Sequence, residues 1–556
     1  MRQWSVYVVG IFCIIILWFF PQNEGKRELR QQKEEAGIKE EFLASFSRYA
    51  NEVPIQVKIK DRTEEEWLLG GTEEEGEPWV SKEGVLYYPV KALESLLHAS
   101  TSFYPDGKLV IERGNRVIAY EKEKVKWKEE IPYISLEKIA RDLQYKISWN
   151  RATNRVTLAG QKEQALPSSY DSRKVGRVSP VRDQGRYGTC WAFGALGALE
   201  SSLLPQENLQ FATDHMSLHS GFYLTQEEGG EYNMSIAYLA SWKGPVLEAD
   251  DPYGDGYSPK YLAPVKHLEE AILLPSKDYD AIKRAVFLYG GVETNIFTSM
   301  KSASSWSQYY NEETASYYFE GNLKPNHDVI IVGWDDNYPK ENFSKTPEGE
   351  GAFLCKNSWG TEFGDDGYFY VSYYDSIIGT TNAVYTKAGD VDNFDHIYQT
   401  DELGWVGQLG YGKEDAWFAN VYTAKGKENL EAVSFYATMP NTTYEVYAVP
   451  KFYTEDSLQE RIFMAEGSFE QAGYYTVRFE ESLPLEQGQR YAVMVKIHTP
   501  NATQPIAIEY ERDIRTSTFQ LSDGEGYFSL YGIDWTRAET KQKANVCLKA
   551  FTTDQK

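Results

Sequence analysis

A cysteine that opens a run of helical spacing and a histidine at the head of an apolar run of strand length constrain this chain more than any other feature. The segment 181–189, Val-Arg-Asp-Gln-Gly-Arg-Tyr-Gly-Thr, is polar and punctuated by glycine. From Cys190 onward apolar residues recur at Ala192, Phe193, Leu196, Leu199 and Leu203, which is the spacing of one helix face. The thiol is therefore expected at a helix N-terminus, where the positive end of the macrodipole favours thiolate. His327 follows by 137 positions and leads into Val329-Ile330-Ile331-Val332-Gly333-Trp334, the pattern of a buried strand. A further 30 positions on, Asn357 closes the short apolar stretch Ala352-Phe353-Leu354-Cys355 and is followed by Ser358-Trp359-Gly360. Neighbouring strands can present this imidazole and amide side by side, so that one ring nitrogen serves the thiol while the other donates to the Asn357 carbonyl.

A chain of 556 residues exceeds what one core organises, so several domains are expected. The formal net charge of -25 argues against a nucleic-acid partner, because phosphate binding needs clustered positive charge. Four cysteines, Cys13, Cys190, Cys355 and Cys547, are too few and too scattered for a disulfide framework or a CxxC zinc site. The seven histidines show no H-E-x-x-H spacing, and neither a metal nor an organic cofactor is expected. Cys355 and Cys547 fall in apolar strand patterns and read as packing residues.

The uncharged run 4–20 follows Arg2 and precedes Pro21, so 1–21 reads as an export signal or, lacking an A-x-A-like site, as an uncleaved membrane anchor. Residues 22–50 are charged and helix-prone, a solvated spacer holding the folded part away from the bilayer. Over 51–160 an offset of 46 residues matches Tyr87, Val90, Leu93, Leu97, Phe103 and Val110 with Tyr133, Leu136, Ile139, Leu143, Trp149 and Val156. Each copy begins with helical spacing and then shifts to strand, turn and strand, giving a small α+β module built twice. It resembles the copper amine oxidase N-terminal-like domain, with no copper implied, since His98 is its one imidazole and it has no Cys.

The residues 166–173 and 181–193, the His327 patch and the Asn357 patch together resemble the papain family of cysteine peptidases. The resemblance implies a two-lobed α+β catalytic domain over 165–388, one lobe helical and led by the Cys190 helix, the other a twisted sheet carrying His327 and Asn357. It assigns Cys190 as nucleophile, His327 as general base and acid in an ion pair with the thiol, and Asn357 as orienter of the imidazole. Gln184 would donate to the oxyanion and Trp359 would cover the Asn357–His327 hydrogen bond from water. Gly229 and Gly230 fall where the family leaves room for an extended substrate backbone, though a plain Gly-Gly turn is the competing reading. The family's disulfide beside the nucleophile cannot form here, because Tyr187 and Thr189 stand in its Cys-Gly-Ser-Cys stretch.

Short alternating strands at 443–449, 474–479, 491–498 and 545–551 argue for an all-β sandwich over 393–553. This segment resembles the lectin-like domain that follows papain-type domains in exported bacterial proteins, with 524–529 and Asp534-Trp535 as the suggestive stretch; cell-surface glycans are the partner that resemblance implies, a structural cap the alternative. The expected function is hydrolysis of peptide bonds in protein or peptide substrates through a Cys190 thioester, outside the cytoplasm. An adhesin with a papain-like scaffold and a transpeptidase using the same acyl-enzyme are the rival readings.

Overall fold

The computed structural model describes residues 56–59, 68–69, 76–81, 85–97, 99–103, 107–113, 116–143, 145–150, 155–159, 166–522 and 525–555. The export signal or anchor at 1–21, the spacer at 22–50, Cys13, His98 and Gly524 lie outside the described residues. Among those described, no helix is long and apolar enough to cross a membrane. The chain divides into two compact units, one comprising 1–111 with 118–164 and the other 165–556 with 112–117.

In the first unit, strands Leu86–Pro89 and Ile131–Ser135 pair antiparallel, Tyr88 opposite Ile134. Each leads into a short helix, Ala92–Leu97 and Leu136–Asp142, and then into strands, Ser100–Phe103, Leu109–Arg113 and Arg116–Tyr120 after the first and Lys146–Asn150 and Arg155–Ala159 after the second. Leu93 and Leu97 of one helix and Ile139 and Leu143 of the other share one buried cluster. The two segments thus begin with the same element order, with one difference from the sequence reading: a strand precedes each helix. Four or five residues are too few for a period of two to stand out beside a longer helical pattern.

The second unit is organised by one long sheet. Its strands are β1 (Ser169–Asp171), β2 (Lys266–Leu273), β3 (Val292–Ile296), β4 (His327–Asp335), β5 (Ala352–Lys356), β6 (Tyr368–Ser372) and β7 (Asn382–Asp390). These are followed by β8 (Asp415–Thr423), β9 (Glu428–Ala437), β10 (Thr442–Val449), β11 (Ala472–Leu485), β12 (Arg490–His498) and β13 (Leu548–Asp554). The sheet runs β6-β5-β4-β3-β7-β2-β11-β9-β13, with β1 also paired to β4. The junction is β2 against β11, Glu270 opposite Tyr475 and Leu273 opposite Ala472. One layer of the C-terminal sandwich is therefore an extension of the sheet that carries His327, and β10-β12-β8 form the facing layer. Phe418 and Val493 of that facing layer meet Phe435 and Leu548 in the core between the two.

The principal helix, α1 (Cys190–Leu203), is buried along its whole length. Its sequence Cys-Trp-Ala-Phe-Gly-Ala-Leu-Gly-Ala-Leu is apolar around most of the circumference, which is what a helix enclosed on all sides requires. It lies against β4 on a face shared with Ile330 and Val332. Val329 and Ile331, pointing the other way, join a separate core with Cys355, Phe369 and Trp359. The helices α2 (Thr213–His219) and α3 (Tyr232–Ala240) pack on α1. Helical material thus covers one face of the sheet beside Cys190, and strand ends carry the other candidate groups.

Candidate active site

The local sequence places each group by a simple device. In β4 and β5, Ile330 pairs with Lys356 in an antiparallel register, and continuing that register sets Asn357 opposite Val329 and Trp359 opposite His327. Because side chains alternate, His327 and Asn357 then share a face. His327 Nε2 lies 2.7 Å from Asn357 Oδ1. That oxygen also accepts from the Ser358 backbone N–H at 2.8 Å, which fixes the amide orientation, so Nε2 carries a proton and donates. The other ring nitrogen is left for the thiol. Trp359 stacks on the imidazole with ring centroids 4.6 Å apart and planes 28° apart, shielding the Asn357–His327 bond.

Gln184 is tied into the same arrangement. Its backbone N–H donates to Ser358 O at 2.8 Å, and its Oε1 accepts from Ser358 Oγ at 2.6 Å. The amide nitrogen is thereby turned away from Ser358 and donates to Tyr187 O at 2.7 Å. Where the disulfide of the papain family is missing, a hydrogen-bonded chain stands instead. Thr189 Oγ1 lies 2.7 Å from Tyr253 Oη, which donates to Gln184 O at 2.8 Å, and the Tyr253 ring meets Phe193 edge-on. The loop 184–190 is thus clamped by Tyr253, a residue the sequence reading missed.

Gly229 and Gly230 lie beside the start of α1. The Gly188 N–H donates to Gln226 O at 2.7 Å, and a Cβ on Gly230 would come within 2.6 Å of the Trp191 indole. The close approach that Gly230 permits is therefore to Trp191, the residue after the cysteine.

Cys190 is buried, with 7% exposure, and its thiol donates to Asp328 Oδ2 at 3.8 Å. Among the described residues no hydrogen bond joins it to His327. Burial pushes the Cys190 thiol up, and the Asp328 carboxylate adds to that, while the Asp328 and Trp191 amides oppose it. Burial pulls His327 down to about 4, against the lift from Asn357. Both directions run opposite to the thiolate–imidazolium pair expected from the sequence. The physical reason is that desolvation of an enclosed site penalises both charged forms, and the thiol's hydrogen bond goes to a carboxyl group. In this arrangement thiol and imidazole are both neutral, which suits a base that takes the proton as attack begins.

Cys355 is fully buried in β5 and Cys547 donates to Gly404 O at 3.3 Å; burial drives both thiols well above the usual range. Among the described residues no three or more His, Cys, Asp or Glu side chains are arranged to hold a metal ion.

Comparison with known proteins matches both parts of the second unit. The family model described as papain family cysteine protease matches residues 166–387, and the lectin like domain model matches 397–552. A cathepsin L-like peptidase of Aedes aegypti is 30% identical over 213 residues, covering 36% of this chain and 58% of that protein. Cathepsin K of Mus musculus is 31% identical over 213 residues, covering 37% of this chain and 60% of its own length. The chain thus spans about three-fifths of the curated relatives it matches. Among solved structures, the clostridial cysteine protease Cwp84 after propeptide cleavage is similar with a TM-score of 0.61 and 26% identity, over 70% of this chain and 100% of that one. The cysteine protease and lectin-like domains of Cwp84, a surface layer associated protein of Clostridium difficile, give a TM-score of 0.60 and 25% identity, over 70% of this chain and 90% of theirs. Residues 166–387 are accordingly a papain family cysteine protease domain, followed at 397–552 by a lectin like domain.

Proposed function

We propose that this chain is an exported cysteine peptidase that hydrolyses peptide bonds through an acyl-enzyme on Cys190. The observation that carries the reading is the His327–Asn357 hydrogen bond under the Trp359 indole, on strand ends beside a cysteine that opens a helix. In the attack step the thiol proton passes to the free nitrogen of His327 while sulfur bonds to the carbonyl carbon. Negative charge then develops on the carbonyl oxygen, between the Cys190 backbone N–H and Gln184 Nε2. His327 returns its proton to the leaving amine, and a water that gives up a proton to the same ring cleaves the thioester and releases the acid. Gly229 and Gly230 supply backbone beside Cys190 along which an extended substrate can run, and Trp359 borders the leaving-group side.

Gln184→Ala tests the oxyanion role. One donor is worth about 10²–10³-fold in turnover, so kcat is expected to fall by about that factor with KM little changed. A larger change in KM than in kcat would assign Gln184 to ground-state binding instead.

The charge-free run at 4–20 and the surface layer association of Cwp84 support action outside the cytoplasm, with that run as export signal or anchor. The lectin like domain is proposed to engage cell-surface glycans. The test uses the full chain on a peptide library with and without amine acceptors, with fractionation of the expressing cells and a glycan array. Cleavage products, an extracytoplasmic fraction and bound glycans are expected. Ligated products without hydrolysis would make the chain a transpeptidase, a purely cytoplasmic chain would sink the location, and an array without binding would reduce the C-terminal domain to a cap.

A further inference from the structure

The Cys190 thiol donates its hydrogen bond not to His327 but to its neighbour Asp328, and nothing in the proposed chemistry uses a carboxyl group there. Asp328 is partly buried, and its Oδ2 lies 3.8 Å from Sγ. A second acid lies close by: Glu293 on β3 is 2% exposed, with Oε2 accepting from Tyr385 Oη on β7 at 2.8 Å and Oε1 buried without a hydrogen-bond partner. Both acids lie against α1. Gly194 sits one turn after Cys190, and a Cβ there would lie 3.4 Å from Glu293 Cγ and 3.5 Å from Asp328 Cβ. The helix that carries the nucleophile therefore borders both acidic residues at this position.

The charged surroundings of Asp328 are of both signs. Glu231, at the start of α3, and Glu293 repel it, and Tyr232 lies near both of those acids. Arg182 and Lys356 share with it the wall of a small cavity of about 10 Å³, where Lys356 donates to Ser179 Oγ and Arg182 is committed to Glu200 and Glu248. His327, its neighbour on β4, donates to Asn357. No ion pair on Asp328 itself is present among the described residues. Burial raises the Asp328 carboxyl to about 7, Glu231 adding to this and the Cys190 hydrogen bond opposing it.

We propose, building on the peptidase reading, that Asp328 is a positioning residue that holds the Cys190 thiol protonated and hydrogen-bonded to its own carboxylate, and that its own protonation releases this hold. Ionised, Asp328 accepts the S–H bond and places a negative charge where thiolate would form. Once it takes a proton from solvent, the repulsion ends and its O–H can donate to sulfur, so the thiol proton passes to His327 at lower cost. Activity is then expected to rise as pH falls through about 7 and to decline above it as Asp328 ionises.

The experiment measures the pH dependence of Cys190 alkylation in the full chain by peptide mapping, for the native protein and for Asp328→Asn, which keeps shape and removes the charge. The midpoint is expected to fall by at least about one pH unit, corresponding to about tenfold more thiolate at a fixed pH below it. The decline of kcat/KM above pH 7 is expected to disappear with it. A midpoint that stays in place or rises overturns the proposal. Thermal unfolding monitors folding, and Asp328→Ser is read by the same criterion if the asparagine variant does not fold. Alkylation needs no turnover, so the two readings fail separately. A shifted midpoint in a chain that cleaves no peptide sinks the peptidase assignment alone, and turnover with an unmoved midpoint sinks this proposal alone.

Discussion

Peptide hydrolysis by the Cys190→Ala chain is expected to fall to background, a loss of about 10⁴-fold or more, because the atom that forms the thioester is gone and no other thiol can replace it. Cys355 faces the core formed with Val329, Ile331 and Phe369, on the side of the sheet opposite α1, and Cys547 is committed to Gly404 O in the C-terminal sandwich. Cys355→Ala and Cys547→Ser are therefore expected to keep the turnover of the native chain, losing about 1 kcal/mol of stability from the altered packing. Assaying the three variants side by side on one peptide decides the matter. Substantial turnover in Cys190→Ala, once thermal melts show the three to be equally folded, would remove the peptidase assignment.

The imidazole and the amide that orients it should separate in size of effect. His327→Ala deletes the group that both accepts the thiol proton and returns it to the leaving amine, and a loss again of about 10⁴-fold or more is expected. Asn357→Ala leaves the base in place but frees Nε2 and lets the ring tilt, which for a misplaced group costs about 10²-fold. Trp359, stacked on the ring at 4.6 Å, limits how far it can swing and so keeps this loss below that of the base itself. The measurement is kcat and KM for both variants across pH, with circular dichroism as the control for folding. Equal and near-complete losses would mean that Asn357 is needed for the fold, through its double role as acceptor for His327 and for the Ser358 N–H.

Much of the site was legible because its parts sit at places where sequence pattern and chemistry coincide. Cys190 marks a change from loop to helical spacing, His327 stands at the head of a strand and Asn357 at the end of one, so each is positioned by its own element before any packing is considered. Gln184, on the polar loop that feeds α1, was reached only through the resemblance to the papain family. Asp328 was not reached. In the sequence it stands between His327 and the apolar run 329–334, and such a residue reads as the solvent-facing member of a strand until the partner across from it is known. Tyr253 was missed because nothing local distinguishes it from the other 40 tyrosines of the chain. Its part in clamping Gln184 and Thr189 exists only through contacts 64 to 69 positions away.

The fold divides along the same line. Periodicity by itself determined that 190–203 is helical, that 327–335 and 352–356 are strands and that the region after 393 is built mainly of strands, because each pattern records which side of a single element avoids water. Periodicity does not record what that side is buried against. Only the tertiary structure decided that β2 pairs with β11, joining the sandwich and the catalytic sheet into one, since backbone pairing between segments some 200 positions apart leaves no mark in either segment. Only the tertiary structure, likewise, decided which acid the nucleophile meets: Cys190 lies 138 positions from Asp328, and their contact follows from how the helix seats on the sheet. Local pattern arises from each residue's own transfer free energy and its neighbours along the chain, whereas the charge state of the thiol depends on groups brought near it through space.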